Sequence, residues 1–130
     1  MLLDTSGLLC LQHAAEPFHS RACDAYHATN ARLTHSDVLA EYVALAQARK
    51  YPRGRTLAFL ADLQDNPDIE TVWVDEGIHR EALALLLARP DKAYSLCDAV
   101  SFILMRDHGI DDALSTDRHF EQEGFRRLLG

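Results

Sequence analysis

Cysteine is scarce in this chain and shows no pattern. Cys10, Cys23 and Cys97 form no CxxC pair, and their odd number argues against a disulfide framework or a thiolate zinc site. They read as small buried apolar residues. None of the seven histidines shows the HxxxH spacing that sets two metal ligands on one helix face, and most are expected at the surface. Glycine and proline are few, at six and four, and no segment is repetitive or low in complexity. No apolar run approaches a membrane span: the longest, Ile78–Ala88 and Leu96–Met105, are short and carry charges. The N-terminus lacks a basic region followed by a signal-type apolar run, so the expectation is a cytoplasmic protein without membrane association. An excess of basic residues is missing too. A formal charge of −7 disfavours nonspecific affinity for nucleic acid, so any polyanion has to be held by a local basic patch.

What is present fits one domain over residues 1–130, with 48% hydrophobic and 25% charged residues. Met1–Leu3 has room only for a short strand, and Asp4-Thr5-Ser6-Gly7 reads as its carboxyl end turning into a helix. Pro17 opens a helical stretch to about Tyr26. Arg32–Thr34 is a brief strand, followed by a helix over Asp37–Ala48 with Thr34 or Ser36 as candidate N-cap. Helices are expected at Arg55–Leu63, Glu76–Ala88 and Leu96–His108, the last ended by Gly109. Strands are expected at Thr71–Val74, Ala113–Ser115 and Phe125–Leu128, with a helical turn at Arg118–Glu123. Short strands alternating with helices imply an α/β sandwich with a mainly parallel sheet of four or five strands.

Four carboxylates fall in or just after apolar runs: Asp4, Glu41, Asp98 and Asp117. Burying an unpaired carboxylate is costly, so such groups shift their pKa, find partners or bind metal. Asp4 and Asp117 follow predicted strands, where open α/β sheets build their sites. Asp98 lies in the first turn of a helix whose only other polar side chain before Arg106 is Ser101. A helix apolar nearly all round is a core helix, although a first-turn Asp also answers the helix dipole. Glu41 sits mid-helix beside Val38, Tyr42 and Leu45, without that explanation.

Taken in order, the segments Asp4-Thr5-Ser6, Leu39-Ala40-Glu41, Leu96-Cys97-Asp98-Ala99-Val100-Ser101 and Leu114-Ser115-Thr116-Asp117-Arg118-His119-Phe120 resemble the PIN-domain family. The likeness is nearest to the VapC-like toxin ribonucleases of toxin–antitoxin pairs, and it spans essentially the whole chain. The resemblance implies a PIN-like sandwich and endoribonuclease activity dependent on Mg²⁺ or Mn²⁺. It implies Asp4, Glu41, Asp98 and Asp117 as metal ligands and catalytic acids, with Ser6 and Ser115 as supporting hydroxyls. It further implies a homodimer and a small antitoxin partner whose tail lies across the cleft, with apolar surface on Phe18–Tyr26 or Arg55–Leu63 as the place to look. Cys97 departs from the small polar residue often found before the third acid. His119 falls at a position that is generally structural in that family. Independently of the resemblance, oxygen ligands without convergent His or Cys suit Mg²⁺ or Mn²⁺ better than zinc.

A structured RNA such as tRNA would need positive charge. Arg49, Lys50, Arg53 and Arg55 cluster after the Glu41 helix, where they also answer its C-terminal dipole, and Arg118 adjoins Asp117. Trp73 and Tyr51 could stack on bases, yet Trp73 within an alternating strand is expected in the core. Two other enzyme classes fit less well. A haloacid-dehalogenase-type phosphatase needs a second acid where Ser6 stands, and a receiver domain needs a strand-end lysine, whereas Lys92 is in a loop. The non-enzymatic alternative is a PIN-like RNA- or protein-binding module with little or no nuclease activity. Keeping four mutually repelling acids argues against it.

Overall fold

The computed structural model describes residues 1–130. The elements are β1 (Leu2–Leu3), α1 (Thr5–Gln12), α2 (His19–Ala28), β2 (Leu33–His35), α3 (Ser36–Ala48) and α4 (Arg53–Gln64), then β3 (Glu70–Val72), α5 (Glu76–Leu87), α6 (Leu96–His108), β4 (Asp112–Leu114), α7 (His119–Gln122) and β5 (Arg126–Arg127). The five strands form one sheet in the order β3-β2-β1-β4-β5, and every pairing is parallel. Parallel sheets of this kind are covered on both faces. Leu2 and Leu3 point to opposite faces of β1, and both are fully buried. Leu3 joins the core beneath α1–α4, while Leu2 joins the core beneath α5 and α6.

Strand order places the site. After β1, the chain builds β2 and β3 on one side, then crosses back to add β4 and β5 on the other. The reversal falls between β1 and β4, and a crevice opens there at the strands' carboxyl ends. The first turn of α1 is pressed onto β4 at this point. A Cβ on Gly7 would lie 2.0 Å from the Leu114 carbonyl oxygen, so only glycine fits. The Asp4 N–H donates to the same carbonyl at 3.2 Å.

Several boundaries differ from the sequence reading, each for a local reason. The helix expected from Pro17 starts at His19, with residues 14–18 forming turns. Helix α4 starts two residues early, with the Thr56 N–H bonded to the Pro52 carbonyl. The cap of α3 is neither Thr34 nor Ser36. The His35 side chain takes that role by accepting from the Val38 N–H, because Thr34 Oγ1 donates to the Leu3 carbonyl and Ser36 Oγ accepts from the Val74 N–H. His35 is accordingly fully buried rather than at the surface. Cys10 and Cys97 are buried as expected, and Cys23 is half-buried. Trp73 is not in the core. Strand β3 ends at Val72, and Val72 and Val74 pack against the α5–α6 core, which leaves the intervening indole 63% exposed. No helix is long and apolar enough to cross a membrane.

Candidate active site

The four acids reach the crevice from four different elements. Asp4 follows β1 as the N-terminal flank of α1, and Asp98 is the third residue of α6. Asp117 lies between β4 and α7, and Glu41 is on the second turn of α3. Asp4 and Asp98 are buried, Asp117 is half-buried and Glu41 is exposed.

Hydroxyls hold Asp4. Ser115 Oγ donates to Asp4 Oδ2 at 2.7 Å and accepts from the Asp117 N–H at 3.0 Å. Ser6 Oγ accepts from the Thr116 N–H at 3.0 Å and lies 3.2 Å from Ser115 Oγ. With the Ser115 proton committed to an ionised Asp4, Ser6 is the donor of that contact. The result is a one-way relay of donors, from Thr116 N–H through Ser6 and Ser115 to the carboxylate. Burial nevertheless pushes the Asp4 carboxyl up to about 7, against the lowering effect of Ser115 and the Thr5 amide and with added repulsion from Asp98 and Glu41. The two hydroxyls expected as supports, Ser6 and Ser115, are thus hydrogen-bonded in series to Asp4.

Asp98 is fixed differently. Ser95 and Asp98 form a capping box, with Ser95 Oγ accepting from the Asp98 N–H at 3.0 Å and Asp98 Oδ2 accepting from the Ser95 N–H at 3.1 Å. The same Oδ2 accepts from His119 Nδ1 at 2.8 Å. These contacts all use one oxygen and leave Oδ1 free for a ligand. His119 also holds Asp117: its N–H donates to Asp117 Oδ1 at 2.9 Å, and Nδ1 lies 3.4 Å from Asp117 Oδ2. Ligand atoms of Asp98, Asp117 and His119 all fall within 4.8 Å of one another. The buried Cys97 thiol is pushed well up, first by burial and then by the negative charges of Glu41, Asp4 and Asp98.

Glu41 reaches this group through a second support. His35 Nδ1 accepts from α3, so Nε2 carries the proton and donates to Ser101 Oγ on α6 at 2.8 Å. Burial lowers the His35 pKa to about 4, so the ring is neutral and keeps this tautomer. The bond ties the start of α3 to α6, one turn beyond Asp98. Gly7, Ser95, His35, Ser101 and His119 thus shape the site, although none was a candidate from sequence. Ser101 and His119 lay within the segments that carry the family resemblance, His119 at a structural position, and Ser95 stands at capping-box spacing from Asp98.

The candidate RNA-binding residues do not share one environment. Arg49 is paired with Glu16, which also accepts from the Tyr51 hydroxyl at 2.8 Å. Tyr51 itself stacks on His13 with ring centroids 3.6 Å apart. Arg53 contacts Gln47, and Arg55 lines an apolar groove. Lys50 and Arg118 are exposed and make no ion pair. Lys50 follows the end of α3, roughly 14 Å along the helix from Glu41 at 1.5 Å per residue. Only Arg118 adjoins the acids.

The donor set fits a hard divalent cation. Its oxygens come from carboxylates, two of them buried, and Asp98 keeps one oxygen without a protein partner. The burial of Asp4 beside like charges is relieved only by a proton or a cation.

Residues 1–125 match the family model of the PIN domain. Among curated proteins, the 23S rRNA-specific endonuclease VapC20 of Mycobacterium tuberculosis is 32% identical over 113 residues, covering 80% of this chain and 85% of that protein. Among solved structures, the M. tuberculosis VapC20 crystal structure, described as a toxin cleaving the Sarcin-Ricin loop, superposes with a TM-score of 0.87. The identity in that comparison is 25%, over 96% of this chain and 95% of that one.

Proposed function

The chain belongs to the PIN-domain family, and from that premise we propose that it is the endoribonuclease toxin of a toxin–antitoxin pair. The observation that carries this reading is the cluster of Asp98, Asp117 and His119, joined through Ser115 to the buried Asp4, at the sheet's switch point. Asp4, Glu41, Asp98 and Asp117 would hold Mg²⁺ or Mn²⁺. When bound, the ion supplies Lewis acidity that activates water and offsets charge on the scissile phosphate. The protein supplies the rest. Ser115, braced by Ser6, holds one oxygen of Asp4. Ser95 and His119 do the same for Asp98, the kind of outer support on which metal sites depend. Asp117, half-exposed and held by its own backbone turn, is the acid best placed to orient an attacking water. Arg118 would take a neighbouring phosphate.

The substrate is RNA, and the relative's activity on 23S rRNA favours a structured RNA with an exposed loop. The antitoxin has a matching surface. A groove of about 530 Å³ runs between α1, α2 and α4, lined by Leu8, Leu11, Tyr26, Phe59 and Leu63, with Leu3 at its base. Leu3 precedes Asp4, so a peptide lying in the groove would end beside the cleft. A homodimer has exposed apolar side chains available in Leu83 and Leu87, one turn apart on α5.

The test is cleavage of ribosomal and transfer RNA by the purified chain with Mn²⁺ and with chelator, alongside Asp98→Asn and calorimetric Mn²⁺ titration. Metal-dependent cleavage lost in the variant supports the reading. Cleavage that survives chelator and substitution sinks the mechanism. Absence of both metal binding and cleavage turns the assignment to a binding module.

A further inference from the structure

We propose that Trp73 is a stacking platform for an unpaired nucleobase of the RNA strand that enters the acid cleft, an inference that rests on the ribonuclease reading above. Most other rings of the chain are engaged within it. Tyr51 lies on His13, Tyr42 meets Phe59, and Tyr94, Phe102, Phe120 and Phe125 pack together. Trp73 alone among the aromatics is a large exposed apolar side chain, and it makes no aromatic or cation–π pair.

Its place in the sheet gives that exposure meaning. Leu2 of β1 is level with Leu33 of β2, and His35 of β2 is level with Val72 of β3. Asp4 therefore shares a level with His35 and Val72, and Trp73 stands one residue beyond it on the same carboxyl edge. Two strand spacings of about 4.8 Å put its Cα about 10 Å from that of Asp4. A strand whose phosphate lies at the acids has a base within reach of an indole at that range. The platform is also held still, because the Val74 N–H donates to Ser36 Oγ at 2.9 Å at the start of α3. The neighbouring Asp75 turns its carboxylate onto the Ile78 N–H as the cap of α5, which directs that charge toward the helix end. Every base has a π-face, so this contact supplies binding without sequence preference.

The chain has a single tryptophan, so the platform reports on itself. The experiment titrates full-length Asp4→Asn protein with a fluorescein-labelled RNA hairpin carrying an unpaired loop, reading anisotropy and indole emission together. Quenching of the indole in step with anisotropy is the expected result. On an otherwise wild-type chain, Trp73→Ala should raise KM about fivefold or more, leave kcat and the oligomeric state unchanged, and be largely rescued by Trp73→Phe. Binding seen by anisotropy without any change in emission would overturn the platform and leave the ribonuclease reading intact. Loss of dimer in Trp73→Ala with unchanged RNA affinity overturns it in favour of a protein interface. Failure of the wild-type chain to bind or cut any RNA removes the underlying reading, and the platform with it.

Discussion

The two walls of the cleft are built on different principles. One wall, from β1, β4 and α6, is a closed hydrogen-bond network: Thr116, Ser6 and Ser115 lead to Asp4, and Ser95 and His119 hold Asp98. The other wall is α3, where Glu41 is exposed and is positioned through its helix, by way of His35 and Ser101. Asp4 and Asp98 are thus buried and fixed by hydrogen bonds, whereas Glu41 stays hydrated on an exposed helix face. In the proposed reading the buried acids would be the fixed ligands and Glu41 the hydrated one. Rigid placement is what metal-assisted phosphoryl chemistry asks of its ligands.

The largest effect should come from Asp4→Asn, which removes a buried carboxylate of the proposed metal site and should lower cleavage at least about a thousandfold, measured at saturating Mn²⁺. The same substitution should stabilise the metal-free protein at high pH. Burial holds the Asp4 carboxyl at about 7 in the folded chain, above its ordinary value of 3.8. Its contribution to stability is therefore fully present below pH 3.8 and lost as pH rises through 7. In thermal melts in chelator the wild type should lose stability relative to Asp4→Asn between pH 5 and pH 8, and Mn²⁺ should return that lost stability to the wild type. Buried His35, its pKa lowered to about 4, adds stability over the lower part of this range in both chains, so the comparison isolates Asp4. Identical pH dependence in the wild type and Asp4→Asn would contradict the burial of a repelled carboxyl.

Gly7→Ala comes next, and it strikes the seat of the rigid wall. Its Cβ would meet the Leu114 backbone, so about 3 kcal/mol of destabilisation is expected in denaturant unfolding, with loss of activity in the fraction that folds. Ser115→Ala should then weaken Mn²⁺ binding about tenfold by calorimetry while leaving the fold intact. Across the cleft, Ser101→Ala and His35→Asn should each cost about 1 kcal/mol of stability. Their effects on Mn²⁺ affinity should be non-additive, because both act through one bond between α3 and α6. Additive losses would mean that α3 is placed by packing alone. The smallest effect belongs to Lys50→Ala, at the far end of α3, with KM changed about twofold or less.

Much of the flexible wall and little of the rigid wall's support was legible beforehand. Glu41 stood out as an acid beside an apolar stripe, and its helix ran nearly as expected. Asp4, Asp98 and Asp117 were equally visible, and the resemblance to PIN domains grouped them. Their supports were harder to see. The Ser115–Asp4 bond joins residues 111 positions apart, and the His35–Ser101 bond spans 66. His35 looked like one surface histidine among seven, and Trp73 looked like core because an alternating strand hides one face only when something covers it. At the edge of this sheet, beyond the end of β3, most of the indole is left uncovered.

The amino-acid order alone determined what depends on neighbours along the chain. That includes strands ending in acids, a capping box that turns Asp98 into α6, and a left-handed Gly109 that stops the helix. Those outcomes follow from backbone sterics and hydrogen bonds spanning only a few residues. Tertiary structure decided the rest. Only the crossover that places β4 beside β1 brings Ser115 to Asp4, makes Gly7 indispensable and leaves Trp73 bare on the same edge. The reason is that burial and through-space repulsion depend on which strands become neighbours.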